Sequence, residues 1–152
     1  QMAEMAISAS RVVRLFGFDP KVAFVSHSTF GQPLTSRTKH IKNAVEILKS
    51  KNVNFEFDGD MQPDVALNKE YKNLYPFSKI VGNANILIMP GQHSAAISYK
   101  MMKELGDTKV IGPLLIGLGL PIEIAPLRSS TSEILNLASI AAYSADVIDY
   151  KK

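Results

Sequence analysis

The side chains with most capacity for chemistry lie in a few short segments. Ser26-His27-Ser28-Thr29-Phe30-Gly31 sets hydroxyls, a glycine and backbone amides ahead of a helical pattern. Such a place suits a phosphate or another anion. A plain strand–helix turn with capping hydroxyls accounts for the same residues and is preferred, because no GxxxxGK[ST] or GxGxxG pattern occurs. Asp58, Asp60 and Asp64 offer carboxylates to a divalent cation. Lacking the terminal Glu of an EF-hand, they read better as turn and helix-cap residues, with Asp64 beside Pro63 at a helix start. Lys100 and Lys103 share a helix face at i, i+3 spacing and can grip phosphates. Arg37, Lys39, Lys42, Lys49 and Lys51 form a basic stretch relieved only by Glu46. Without interleaved aromatics it reads as a solvated helix face rather than a nucleic-acid surface. His27, His40 and His93 show no metal-ligand spacing. No catalytic residue and no metal site are assigned.

These residues need elements to hold them. Met2, Met5, Ala6, Ala9, Val12, Val13 and Phe16 recur at helical spacing from the first residues on. Gly17-Phe18-Asp19-Pro20 stops that helix. Val22 to Ser26 reads as a buried strand. A helix capped by Thr35 or Ser36 follows, with Ile41, Ala44, Val45 and Leu48 on its apolar face. Val53, Phe55 and Phe57 alternate with polar residues as a second strand, which Asp58-Gly59-Asp60 is expected to end. Residues 61–83 are broken by Pro into short helices and loops. Asn85 to Met89 is a third strand. A helix over about 92–105 is expected to bury Ala96, Ile97, Met101 and Leu105. Val110 to Ile116 reads as a fourth strand and Ile122 to Ile124 as a fifth. The last helix, about 131–148, carries Ile134, Leu135, Ala138, Ala141, Ala142 and Ala145.

Strands alternating with helices imply an α/β fold with a mostly parallel sheet and helices on both faces. Ligands in such sheets bind beyond the carboxyl ends of the strands. Ser26–Gln32, Asp58–Gln62, Met89–Ser94 and Gly117–Ser130 fall there.

Composition bounds the class. The chain has 152 residues, 46% of them hydrophobic and 20% charged, which is enough for one core. The formal charge is +3, from 13 Lys and 4 Arg against 14 acidic residues. No apolar run approaches the roughly 20 residues of a membrane span. The absence of cysteine excludes disulfides and thiolate chemistry and fits a cytoplasmic address. A first helix that starts on Gln1 without a capping side chain suggests a piece of a longer protein.

Several ordered motifs then point to a family. They are Val22-Ala23-Phe24-Val25-Ser26-His27-Ser28-Thr29, Asp58-Gly59-Asp60-Met61-Gln62-Pro63-Asp64-Val65-Ala66 and Gly82-Asn83-Ala84-Asn85-Ile86-Leu87-Ile88-Met89-Pro90. Tyr99-Lys100, Ile111-Gly112-Pro113-Leu114-Leu115-Ile116-Gly117-Leu118 and Pro121 complete the set. Together they resemble the phosphate acetyltransferases from Gln1 to about Asp146. The resemblance implies a three-layer αβα lobe, related to isocitrate and isopropylmalate dehydrogenases. Residues 1–152 would be the C-terminal part of that fold. About 1–120 would form the second lobe, and about 121–152 a return segment toward a first lobe.

Two branches share the pattern: transferases that move acetyl between coenzyme A and phosphate, and C-terminal domains of NADP-dependent malic enzymes. Transferases carry a Ser-Arg-Gly motif after the Gly-Leu-x-x-Pro turn, where Pro126 and Leu127 stand in this chain. An apolar pair cannot make the charge-assisted bonds of an Arg. Arg128 comes one residue later, and Glu133 matches an acidic residue that is usually Asp. Ser28-Thr29-Phe30-Gly31, Tyr75-Pro76-Phe77-Ser78 and Pro126-Leu127 favour the malic enzyme branch. The resemblance thus implies a regulatory and oligomerisation domain that senses acetyl-CoA, dimerises, and lacks transferase activity. The alternative is an active phosphate acetyltransferase. Lys100 is the first candidate for the coenzyme A phosphates, with Lys103, Ser26, Ser28, Thr29, Gly31 and Arg128 after it. No cofactor is expected in this segment. NADP and a divalent metal (Mg or Mn) are expected to bind upstream, and neither nucleic acid nor membrane is expected as a partner.

Overall fold

The computed structural model describes residues 1–107 and 109–147, apart from the side chains of Arg37 and Lys72. In chain order they form α1 (Met2–Leu15), β1 (Lys21–Val25), α2 (Ser36–Ser50), β2 (Glu56–Met61), α3 (Pro63–Leu67), α4 (Lys69–Lys72), β3 (Ile86–Ile88), α5 (Gln92–Leu105) and α6 (Thr131–Val147). The chain divides into two compact units, Gln1–Ser98 and the residues from Tyr99 on.

The first unit is a three-stranded parallel sheet of order β2-β1-β3 with helices around it. β1 is central, and Val22, Ala23 and Phe24 are wholly buried. Strand alternation sends neighbouring side chains to opposite faces. Val22, Phe24, Ile86 and Ile88 meet Ala3 and Ala6 of α1 and Ile41, Ala44, Val45 and Leu48 of α2. On the other face Ala23 and Leu87 meet Met61, Val65, Ala66, Ile80 and Ala84. The predicted face of α2 is thus the buried one. Its cap is Thr35, whose hydroxyl accepts from the Thr38 amide while the Thr38 hydroxyl accepts from the Thr35 amide. Lys39, Lys42, Lys49 and Lys51 lie on the exposed side of α2 or just past its end. Lys49 pairs with Glu46 and Lys51 with Glu4 of α1.

Some expectations are corrected. α1 turns Ala3, Ala6 and Ser10 to the core, leaving Met5 and Phe16 about half exposed. β2 starts later than predicted and runs through Asp58-Gly59-Asp60 rather than ending there. Gly59 makes this feasible: it pairs with Phe24, and an added Cβ would stand 2.7 Å from Phe24 Cβ and 2.8 Å from its carbonyl oxygen. The register then passes from Phe24–Gly59 to Val25–Met61, so Asp60 is an extra, bulged residue.

The second unit departs more from expectation. Residues 110–116 and 122–124 form no strand among the described residues. Pro113 has no amide to give a ladder, and among the described residues of this unit no strand lies ready to pair. α5, whose residues up to Ser98 belong to the first unit, has its predicted bounds, but no residue of it is buried, and Ala96, Ile97, Met101 and Leu105 are exposed. α6 buries Leu137 alone, leaving Ile134 and Leu135 exposed. The predicted last residue of α6, Ile148, lies outside the described residues.

Candidate functional site

In the first unit, the segment beyond β1 folds over the carboxyl end of the sheet, and Asp60 of β2 organises it. A bulge re-aims the side chain of the extra residue. Here it turns a carboxylate, only 4% exposed, into the loop. One Asp60 oxygen accepts a short hydrogen bond from the Ser28 hydroxyl. The other accepts from the Gly31 amide at 3.0 Å. The Asp60 carbonyl accepts from the Phe30 amide at 2.6 Å. Ser28 is fully buried, and its hydroxyl lies 3.2 Å from that of Ser26. His27 is exposed, with its Nδ1 3.4 Å from the Ser26 hydroxyl.

Every amide from Ser28 to Gln32 donates inside the unit. Ser28 donates to the Ser26 hydroxyl, and Thr29 and Gln32 exchange bonds with each other's carbonyls. Phe30 and Gly31 donate to Asp60, as above. The Thr29 hydroxyl accepts from the Gln62 amide, and the Gln62 side chain donates to the His27 carbonyl. Phe30 takes a positive φ of 49°, which places its ring 5.5 Å from Tyr75 and 4.8 Å from Phe77. Phe77 is 64% exposed.

The other carboxylates are structural. Asp58 accepts from the Gly59 and Lys79 amides, and Asp64 from the Val65 amide at the start of α3. Among the described residues no group of His, Asp and Glu is arranged to hold a metal.

In the second unit, Lys103 of α5 donates to Glu133 of α6 at 2.8 Å. The other Glu133 oxygen accepts from the Ser130 amide and hydroxyl, and the Ser130 hydroxyl accepts from the Glu133 amide. This is a capping box, signalled by Ser-x-x-Glu, which the sequence reading missed. Lys103, then Ser130, hold the Glu133 carboxyl down at a pKa of about 2, against an ordinary 4.5. Glu133 in turn raises that of Lys103. Lys100 and Arg128 are exposed and form no ion pair among the described residues. Pro126 starts a turn closed by the Ser129 amide, and Leu127 at its tip is fully exposed.

Residues 1–142 match the family model described as phosphate acetyl/butaryl transferase. The chain belongs to that family. A phosphotransacetylase structure from Streptococcus pyogenes superposes with a TM-score of 0.89 at 34% identity, over 95% of this chain and 44% of that one. The NADP-dependent malic enzyme of Rhizobium meliloti is 46% identical over 95% of this chain and 19% of its own length. The phosphate acetyltransferase of Clostridium acetobutylicum is 34% identical over 95% of this chain and 44% of its own. The chain thus spans about a fifth of the malic enzymes and under half of the transferases it matches. For this phosphate acetyl/butaryl transferase family member, both units contribute candidate residues. Ser26, Ser28, Thr29 and Gly31 cluster in the first, while Lys100, Lys103 and Arg128 belong to the second.

Proposed function

We propose that this chain is the C-terminal, acetyl-CoA-responsive domain of an NADP-dependent malic enzyme, and that it does not transfer acetyl groups. The observation that carries the reading is the state of the Pro126–Glu133 segment. In the transferase pattern an Arg at this place orients coenzyme A and acetyl phosphate by charge-assisted bonds. Pro126 and Leu127 provide no cation where the family pattern has Ser-Arg. Both Glu133 oxygens are engaged, one by Lys103 and the other by the Ser130 amide and hydroxyl of its own helix cap. The 46% identity with the Rhizobium meliloti enzyme supports the malic enzyme branch.

In this reading malate, NADP and the Mg or Mn ion bind upstream, in the parent chain. The domain dimerises and works in the cytoplasm. No helix among the described residues is long and apolar enough to cross a membrane. Acetyl-CoA regulates the parent by binding unequally to two of its states. Lys100 receives the coenzyme A phosphates, with Lys103 and Arg128 of the same unit as the next candidates.

The test uses the intact protein. A coupled assay with acetyl phosphate and coenzyme A is expected to give no acetyl-CoA. Calorimetry is expected to show acetyl-CoA binding that Lys100→Glu weakens about tenfold or more. Robust turnover would favour an active phosphate acetyltransferase, the reading to which the Clostridium acetobutylicum relative lends weight.

A further inference from the structure

We infer that Glu133 is a built-in competitor for phosphate in the second unit: its carboxylate occupies the Lys103 ammonium in the free protein, and a bound phosphate takes that ammonium over. This rests on the assignment above of a phosphate to Lys100, and it names the contact through which that site is regulated.

Lys100 and Lys103 leave α5 on one face, with Cβ atoms about 5–6 Å apart. Lys100 is exposed and forms no ion pair among the described residues. Lys103 is already occupied, since its Nζ donates to Glu133 Oε1 at 2.8 Å. A carboxylate oxygen takes from an ammonium the same charge-assisted bond that a phosphate oxygen would. A phosphate on Lys100 therefore finds an anion seated at the next cation along the helix. The ammonium has protons for both, but two anions sharing it repel across a few ångströms. The Lys103 side chain is 43% exposed and that of Glu133 30%, so a ligand can reach the pair.

The remaining bonds of Glu133 let it release Lys103 without being stranded. Its Oε2 accepts from the Ser130 amide and hydroxyl, so the carboxylate stays tied to the start of α6. Two states follow. With Lys103 on Glu133, an ion pair joins α5 to α6. With Lys103 on phosphate, that tie is gone and the first turn of α6 keeps only its own cap. A ligand that makes different contacts in two states shifts their balance, and by reciprocity a weaker tie must raise the affinity for the ligand. Glu104, next to Lys103 in sequence, acts on it through charge alone and serves as the control.

The test is calorimetry with inorganic pyrophosphate on the intact protein, with NADP saturating so that its own site is filled. Glu133→Gln removes the charge and keeps a carbonyl for the Ser130 amide, since Gln also serves in a capping box. It is expected to tighten pyrophosphate about threefold to tenfold, and Glu104→Gln by less than about twofold. With Lys103→Ala in place, the gain from Glu133→Gln is expected to shrink to that of Glu104→Gln. If Glu133→Gln fails to fold, Glu133→Asp decides: its carboxylate is one methylene too short to span from the cap to Lys103, and it too is expected to tighten pyrophosphate. The inference is overturned if the Glu133 variants gain no more than Glu104→Gln, if their gain survives Lys103→Ala undiminished, or if no variant binds pyrophosphate. The acetyl-CoA reading fails on a different result, the absence of acetyl-CoA binding to the unsubstituted protein, whatever the pyrophosphate series gives.

Discussion

Replacing Gly59 by Ala tests the geometry on which the loop depends. The new Cβ would lie 2.7 Å from Phe24 Cβ, 2.8 Å from Phe24 O and 3.2 Å from Phe24 Cα. Carbon pairs are comfortable at about 3.5–4.0 Å. None of these atoms is the end of a flexible side chain, so the central strand itself must shift. Overpacking of this kind costs about 1–3 kcal/mol. The backbone adds a second cost, because φ at this position is +151°. Holding a non-glycine residue in such a region costs about 1–3 kcal/mol more. The sum centres on about 4 kcal/mol, a large share of a domain stability of about 5–15 kcal/mol. At about 1.4 kcal/mol per tenfold, hydrogen-exchange protection of residues 21–25 and 56–61 in the intact protein should fall roughly a thousandfold. A control sharpens the test. Phe24→Ala keeps the Cβ, Cα and carbonyl that clash, so it cannot relieve Gly59→Ala. The double variant should lose about 3–5 kcal/mol more, with little coupling. Protection within tenfold of the parent, or rescue by Phe24→Ala, would refute the close approach and with it the account of the Asp60 bulge.

Two smaller predictions follow from the helix starts. Thr35→Ala removes the acceptor for the Thr38 amide and should cost about 1 kcal/mol, read as faster exchange in the first turn of α2, whereas Thr35→Ser should restore it. Glu133 should titrate near pH 2 by carboxyl NMR, and Lys103→Ala should move the midpoint toward 4.5. Because its folded pKa is depressed, Glu133 lends stability that is complete above about pH 4.5 and fades as pH falls toward 2. An unmoved midpoint in Lys103→Ala would show that the capping box alone holds the carboxylate.

Local signals made part of this fold readable. Val22 to Phe24 form an unbroken apolar run because β1 is buried on both faces. Ile41, Ala44, Val45 and Leu48 keep helical spacing because α2 buries one stripe. The family resemblance rested on ordered strings that span both units, and the family match extends over the same stretch. The failure at β2 has a physical cause, contacts distant in sequence. Asp58-Gly59-Asp60 reads as a strand end, since Asp and Gly are poor strand formers. Only the approach of Phe24, 35 positions earlier, explains the glycine, and only the loop at Ser28 and Gly31 explains the aspartate. The apolar spacing of α5 predicts a buried face, but Ala96, Ile97, Met101 and Leu105 are exposed, because a pattern does not say what covers it. Ser130-x-x-Glu133 was legible and overlooked. The engagement of Lys103 by Glu133, 30 residues on, was not legible.

The strand order also sets a timetable for synthesis. β1 lies between β2 and β3 and is made before either. Val25 precedes Ile88 by 63 positions. At roughly 5–20 residues per second, the central strand of the sheet waits roughly 3–13 s on the ribosome for its second neighbour. Its hydrogen-bonding edge on that side stays open meanwhile, available to any other extended chain. α1, already complete, can shelter one face of β1 through Ala3 and Ala6 but cannot close that edge. Nascent chains stalled before Ile86 should therefore be the ones that chaperones hold and that aggregate when released.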